Sequence, residues 1–338
     1  MKAAIRAIRT YLPSGRLTNE QLVEECGDWD VDKIYQKTGV SVRGITGEGE
    51  CASDLGVAAA GKLLDDGVCA REDVDFLLFC TQSPDYFLPT TACIMQSRLG
   101  LPTTCGALDF NLGCSGFVYG LSLAKGLIET GQAQNVLLVT GETYSKYINP
   151  SDRSVRTIFS DGAAATLVAG VEQEHDLIGP FVFGSDGTGA EQLIVRAGGH
   201  RMPPSSETAQ MAEAEAGVFR SDENLYMNGP EIFSFTLKSV PALFAQLLVK
   251  TGLTMDDIDY FVLHQANKFM LESLRKKLKV PEDKFCINMQ SYGNTVSSTI
   301  PMALEIARDE GRIKNGDRVA LAGFGVGYSW AGTMISFA

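Results

Sequence analysis

Three side chains stand where an α/β protein places reacting groups. Cys114 lies in Gly113-Cys114-Ser115-Gly116, between a strand at Leu108–Phe110 and a helical pattern from Phe117 to Ile128. At a helix N-terminus the dipole and free backbone N–H groups favour a thiolate, the nucleophilic form of cysteine. Flanking glycines let a substrate reach the sulfur. His264 follows the apolar run Tyr260–Leu263, and so tops a strand, where α/β folds gather ligands. Asn294 sits in Tyr292-Gly293-Asn294-Thr295, turn chemistry that also presents an amide. Each has an ordinary reading too: a small buried cysteine, a satisfied histidine, a Gly-Asn turn.

The elements that carry them occur twice. Arg71–Cys80 and Met255–His264 both run from an acidic turn into a short apolar strand, each after a helical stretch (Leu55–Leu64 and Ser239–Val249). Downstream, a helix around Thr91–Leu99 and a strand around Ala107–Phe110 lead to Cys114. A helix around Met270–Leu278 and a strand around Phe285–Met289 lead to Asn294. Gly126–Gly131 before the strand Asn135–Thr140 matches Gly311–Gly316 before Arg318–Ala322. Alternating strands and Gly-bounded helices predict an α/β fold with mixed sheets. Two halves offset by about 180 residues predict a pseudo-twofold core with its site at the seam. Residues 1–175 and 231–338 form the halves, and 176–230 a connecting elaboration.

Gly323-Phe324-Gly325-Val326-Gly327-Tyr328 adds a fourth element. Its glycines let backbone N–H groups face a site, as an oxyanion hole requires. Ser329–Phe337 reads as a strand, so no helix follows to receive a phosphate, and a dinucleotide loop is set aside. Residues from about Gly187 to Asn228 carry loop chemistry, including Gly198-Gly199-His200-Arg201-Met202-Pro203-Pro204, and read as a flap or a surface loop.

Composition narrows the classes. With 45% apolar and 21% charged residues the chain can bury a sizeable core. A net charge of −12 argues against nucleic acid and anionic membranes as partners. The N-terminus lacks signal-peptide character, and no long apolar run is expected to span a membrane. Eight cysteines without CxxC spacing read as reduced cytoplasmic thiols, and three histidines without paired spacing give no metal site.

Asn111–Phe117, His264-Gln265-Ala266-Asn267, Tyr292–Thr295 and Gly323–Gly327 resemble, in order, four motifs of the β-ketoacyl-acyl-carrier-protein synthase III family. The likeness runs from Tyr11-Leu12-Pro13 onward. It implies the thiolase-like five-layered α-β-α-β-α fold. It also implies an acyl group carried on Cys114, then decarboxylative condensation with malonyl-carrier protein in fatty acid biosynthesis. His264 and Asn294 would hold the enolate oxygen, and the N–H groups of Cys114 and Val326 the tetrahedral oxyanion. Glu or Cys at the Asn294 position, found in hydroxymethylglutaryl-CoA synthases and thiolases, would mark other reactions.

The resemblance further implies acyl-CoA or acyl-carrier protein as donor, no metal or other cofactor, and a homodimer in which Leu88 closes the partner's acyl pocket. Lys33 and Lys37 occupy positions where relatives often use Trp and Arg against CoA, with Trp29 close by, while Arg153 fits the family's other CoA-contacting arginine. Lys268 begins a basic helix with Arg275, Lys276, Lys277 and Lys279, suited to an acidic carrier protein. The run Val296–Pro301 departs mildly from the usual one and leaves room for a specialised pathway.

Three other readings compete. A specialised-metabolite ketosynthase or acyltransferase of the same fold would move the acyl group to another acceptor. A papain-type hydrolase shares the Cys-His-Asn order, but lacks the duplication and would carry a Cys-Gly-Ser-Cys-Trp signature. A non-catalytic binding protein would not need the three residues together.

Overall fold

The computed structural model describes residues 1–27, 30–215 and 217–337. Two sheets form its frame, and their strands are numbered here in chain order. The first sheet comprises β1 (Lys2–Tyr11), β2 (Phe76–Cys80), β3 (Gly106–Phe110), β4 (Asn135–Glu142) and β5 (Gly162–Val171), in the order β1-β5-β4-β2-β3. The second comprises β6 (Ile178–Ser185), β7 (Tyr260–Leu263), β8 (Val319–Gly325) and β9 (Ser329–Ile335), in the order β6-β9-β8-β7.

The two sheets repeat one pairing scheme. β1 and β4 run antiparallel to β5, as β6 and β8 do to β9; β2 runs parallel to β4 as β7 does to β8. The duplication thus extends to strand direction and order.

Five layers follow from where the apolar faces go. Helices α1 (Ala52–Asp65) and α2 (Thr91–Arg98) cover the outer face of the first sheet, packing Leu55, Leu63 and Met95 against Leu77, Phe79 and Val139. Helix α3 (Gly116–Glu129) lies between the sheets, and the later helix α6 (Thr299–Asp309) shares that layer. Phe117, Leu121, Ile300 and Leu304 meet Val136 and Leu138 on one side and Val262 and Leu321 on the other. Helices α4 (Gly229–Thr251) and α5 (Lys268–Leu278) cover the second sheet. Because Leu77, Leu78 and Phe79 face helices on both sides, β2 is a continuous apolar run rather than an alternating one.

Two expectations need correction. Phe285–Met289 is no strand: Phe285 makes only an isolated parallel bridge to Phe261. The side chain of Gln265 takes the place of a ladder, accepting from Asn288 N–H (3.1 Å) and donating to Leu263 O (2.7 Å) and Cys286 O (3.3 Å). The segment 176–230 is not wholly a connection, since β6 pairs with β9 as an edge of the second sheet; the rest includes the hairpin Ala212–Glu215 with Val218–Arg220. Among the described residues, α4 is long and apolar enough to cross a membrane by length and composition alone. Here it packs on β9, where a β-carbon on Gly332 would meet Leu243 at 2.4 Å.

Candidate active site

Cys114 sits in the turn from β3 into α3 and is buried, with 4% of its surface exposed. The end of β8 comes against it. A β-carbon on Gly323 would lie 2.7 Å from the Cys114 carbonyl oxygen, and one on Gly325 would lie 2.8 Å from Sγ. Only glycine permits so close an approach of backbone to sulfur. Nearby, Ser115 Oγ and Ser329 Oγ lie 2.5 Å apart and tie the start of α3 to β9.

His264 extends β7. Leu263 pairs with Ala322, and His264 N–H donates to Ala322 O (2.8 Å), so the histidine lies beside Gly323 and its neighbour Cys114. The Phe324 ring stands edge-on to the imidazole at 5.6 Å. Nδ1 meets Thr299 Oγ1, the first residue of α6, at 2.7 Å.

Asn294 is tied to the same place from the other side. Its Oδ1 accepts Val296 N–H (2.9 Å), and its Nδ2 donates to Ala266 O (3.3 Å), two residues beyond His264. One amide proton has no role in those two bonds. Backbone bonds with Ile158 and Ser160 anchor the turn. Val296 holds φ at +57°, costly for a β-branched residue. Cys114, Ala266, Val296 and Phe324 belong to one buried cluster.

Burial sets the protonation of these groups. It pushes the Cys114 thiol up to about 12, although the N–H groups of Val326 and of Cys114 itself work in the opposite direction. The expected thiolate at the helix N-terminus is therefore corrected: desolvation outweighs the dipole, and the resting group is a thiol. Burial also drives His264 down to about 3 against a small opposing effect of the Val296 backbone, so its imidazole is neutral near pH 7. The arrangement offers a neutral nucleophile, two backbone N–H groups at the sulfur, and a neutral imidazole and amide with no adjacent ion pair among them.

Sequence reasoning did not single out four neighbours. Thr299 and Phe324 contact the imidazole, and Gln265 shapes the turn beyond it. Glu142, buried at the end of β4, accepts from Gln82 N–H (3.0 and 3.1 Å) and Ser83 Oγ (3.0 Å); burial raises it to about 8. An acid closing an otherwise apolar strand was the available signal for Glu142. Thr299 and Phe324 had none, because their partners lie far away in sequence.

The other expected positions lie outside this chamber. Leu88 is 81% exposed, beside Phe87 at 80%. Lys33 and Lys37 are exposed on the helix Val31–Thr38, which packs on α5. Lys268 Nζ lies 5.6 Å from the centre of the Tyr35 ring on that helix. Trp29 falls outside the described residues. Arg153 is exposed and opens the short helix Arg153–Arg156; its cap Asp152 pairs with Arg220 of the hairpin at 2.8 Å. On α5, Lys276 and Lys277 are exposed, as is Lys279 just past its end, whereas Arg275 is drawn back to Glu272 (2.8 Å). Among the described residues, no group of three or more His, Cys, Asp or Glu could hold a metal ion.

Comparison with known proteins covers the whole chain. The family described as 3-oxoacyl-[acyl-carrier-protein (ACP)] synthase III matches residues 108–187, and its C-terminal counterpart matches residues 248–337. The β-ketoacyl-[acyl-carrier-protein] synthase III of Caldanaerobacter subterraneus subsp. tengcongensis is 38% identical over 338 residues, covering 99% of this chain and 98% of that protein. A crystal structure of a 3-oxoacyl-(acyl-carrier-protein) synthase III superposes with a TM-score of 0.98 at 54% identity, covering 100% of both chains. The 3-oxoacyl-(acyl-carrier protein) synthase of Burkholderia xenovorans LB400 gives 0.91 at 37% identity, covering 100% of this chain and 95% of that one.

Proposed function

Because the chain belongs to the 3-oxoacyl-[acyl-carrier-protein] synthase III family, we propose that it is a condensing acyltransferase of fatty acid biosynthesis that works through Cys114. The Cys114 sulfur attacks a donor thioester, and the donor's carbon–sulfur bond breaks to give the acyl-enzyme, the departing donor sulfur taking up the proton that the thiol gives up and leaving as the free thiol. Malonyl-carrier protein then loses CO₂. The electron pair of the broken carbon–carbon bond moves onto the thioester oxygen, where His264 and Asn294 donate hydrogen bonds. The carbanion attacks the acyl carbonyl, its oxyanion held by the N–H groups of Cys114 and Val326, and the sulfur leaves to regain a proton.

The observation that carries this reading is the uncharged site. A carboxylate at the Asn294 position would repel an enolate, whereas a neutral amide beside a neutral imidazole stabilises it. The exposed Tyr86-Phe87-Leu88 segment and the exposed Leu108 on edge strand β3 support a homodimer in which Leu88 enters the partner's acyl pocket. Lys37, Lys268 and Arg153 carry the positive charge that the phosphates of CoA or of the carrier's phosphopantetheine call for, and the exposed Lys276 and Lys277 suit an acidic carrier. Eight free cysteines support a reducing, cytoplasmic setting.

Intact-protein mass spectrometry tests the reading with a panel of acyl-CoAs and acyl-carrier proteins, followed by malonyl-carrier protein. The expected result is an adduct on Cys114 that discharges only with malonyl-carrier protein and with CO₂ release, and none on Cys114→Ala. Discharge to other acceptors without CO₂ would replace condensation with simple acyl transfer. An adduct of undiminished rate on Cys114→Ala would remove Cys114 as nucleophile.

A further inference from the structure

The imidazole of His264 has a partner able to give or take a proton. Thr299 Oγ1 lies 2.7 Å from His264 Nδ1 and 3.0 Å from the Val296 carbonyl oxygen. The hydroxyl has one proton and so donates to only one of them. If it donates to Val296, Nδ1 must carry the ring proton and Nε2 is bare. If it donates to Nδ1, the ring proton lies on Nε2.

The Val296 carbonyl also attracts an imidazole N–H, but two observations favour the second arrangement. The Val296 carbonyl already accepts the backbone N–H of Thr299, so it does not need the hydroxyl. The distances also differ: 2.7 Å is typical of a hydroxyl donor, while 3.0 Å is at the long limit for one. A nitrogen turned away from Thr299 and carrying a proton is what a thioester oxygen requires as it gains charge.

We propose that Thr299 is a positioning residue whose hydroxyl donates to Nδ1 and so fixes His264 in the tautomer with its proton on Nε2, making a neutral imidazole a hydrogen-bond donor for the condensation half of the reaction. The acylation half does not require that donor. The inference rests on the condensing reading above. It adds that the direction of one hydrogen bond, set at the first residue of α6, separates the two half-reactions in their sensitivity to substitution.

Nitrogen NMR of histidine-labelled protein reads the tautomer directly. The chain has three histidines, so loss of one set of signals in His264→Ala identifies the resonances. The expected wild-type pattern is a protonated Nε2 and a bare Nδ1. In Thr299→Val, which keeps the branched volume but has no hydroxyl, the proton should move to Nδ1, facing the Val296 carbonyl. Decarboxylation of malonyl-carrier protein should then fall by about 100-fold, the usual effect of losing one such donor. Acylation of Cys114 should be nearly unchanged, because an interaction lost only in the condensation step does not affect the other. Thr299→Ser should restore both tautomer and rate.

A wild-type His264 protonated on Nδ1 would overturn the proposal, even if Thr299→Val failed to fold. So would equal losses in both half-reactions without rescue by serine, the mark of a merely structural role. If wild-type protein neither acylates Cys114 nor releases CO₂, the condensing reading fails instead, and the spectrum still decides the direction of the Thr299 hydrogen bond.

Discussion

Gly325 stands so near Cys114 that a β-carbon on it would lie 2.8 Å from Sγ and 2.9 Å from Cβ. The backbone at the end of β8 therefore forms part of the wall around the sulfur. Gly325→Ala should displace either the sulfur or the Val326 N–H beyond it. A shift of about 1 Å at a reacting centre costs about 100-fold, so the acylation rate followed by mass spectrometry should fall by that order. Circular dichroism should remain that of the folded protein; unaltered acylation would show that the strand yields without affecting the site.

His264 makes stability depend on acidity. Its folded value near 3 lies below the ordinary 6.5, so the folded state binds the proton less readily than the unfolded chain. The associated stability is fully present above pH 6.5 and is lost as pH falls toward 3. Over that window the slope approaches about 1.4 kcal/mol per pH unit for one proton. Urea unfolding of wild type and His264→Gln between pH 7 and pH 4 should give diverging curves, with the wild type losing more stability. Parallel curves would mean that His264 is not buried in its neutral form.

Arg220 fastens the hairpin to the core through Asp152, whose side chain is 1% exposed. Removing the cation leaves a buried carboxylate, which costs about 3 kcal/mol or more. Arg220→Met should therefore be markedly destabilised in chemical denaturation. Arg220→Met combined with Asp152→Asn should recover much of the loss, because the uncompensated charge is gone. Equal stability of the single and double variants would assign the effect to lost packing.

The exposed lysines of α5 are expected to act on the carrier rather than on the chemistry. Lys276→Glu with Lys277→Glu should raise KM for malonyl-carrier protein about tenfold, as charge reversal on a docking surface weakens encounter. It should leave kcat and acylation by acyl-CoA unchanged, and the difference from wild type should shrink in high salt. An unchanged KM would move the carrier surface elsewhere.

Much of the frame was legible because its signals are local. Period and glycine punctuation marked the strand Tyr260–Leu263 and the helix following Cys114, and the repeat predicted the second sheet from the first. Phe285–Met289 defeated that logic: its apolar pattern suits a strand, but the Gln265 amide intercepts the backbone groups a ladder needs. β6 was assigned to a connection because an edge strand bordering a loop-rich segment has little pattern of its own. At Cys114 a local rule, the helix dipole, met a tertiary effect, full burial, and the tertiary effect was larger. Thr299 could not be found from spacing, since 35 residues separate it from the histidine it touches.

Both helices of the central layer begin at the site: Cys114 lies two residues before the start of α3, and Thr299 opens α6. The reacting groups are thus mounted on the part of the molecule enclosed by two sheets, where neighbours on every side resist displacement. Leu88 and its neighbour Phe87 sit on the periphery of the single chain, with most of their surface exposed. Altering what the enzyme accepts is therefore a different engineering problem from altering what it does. The first requires changes in the outer segments, which the frame tolerates; the second requires moving a helix that both sheets hold in place.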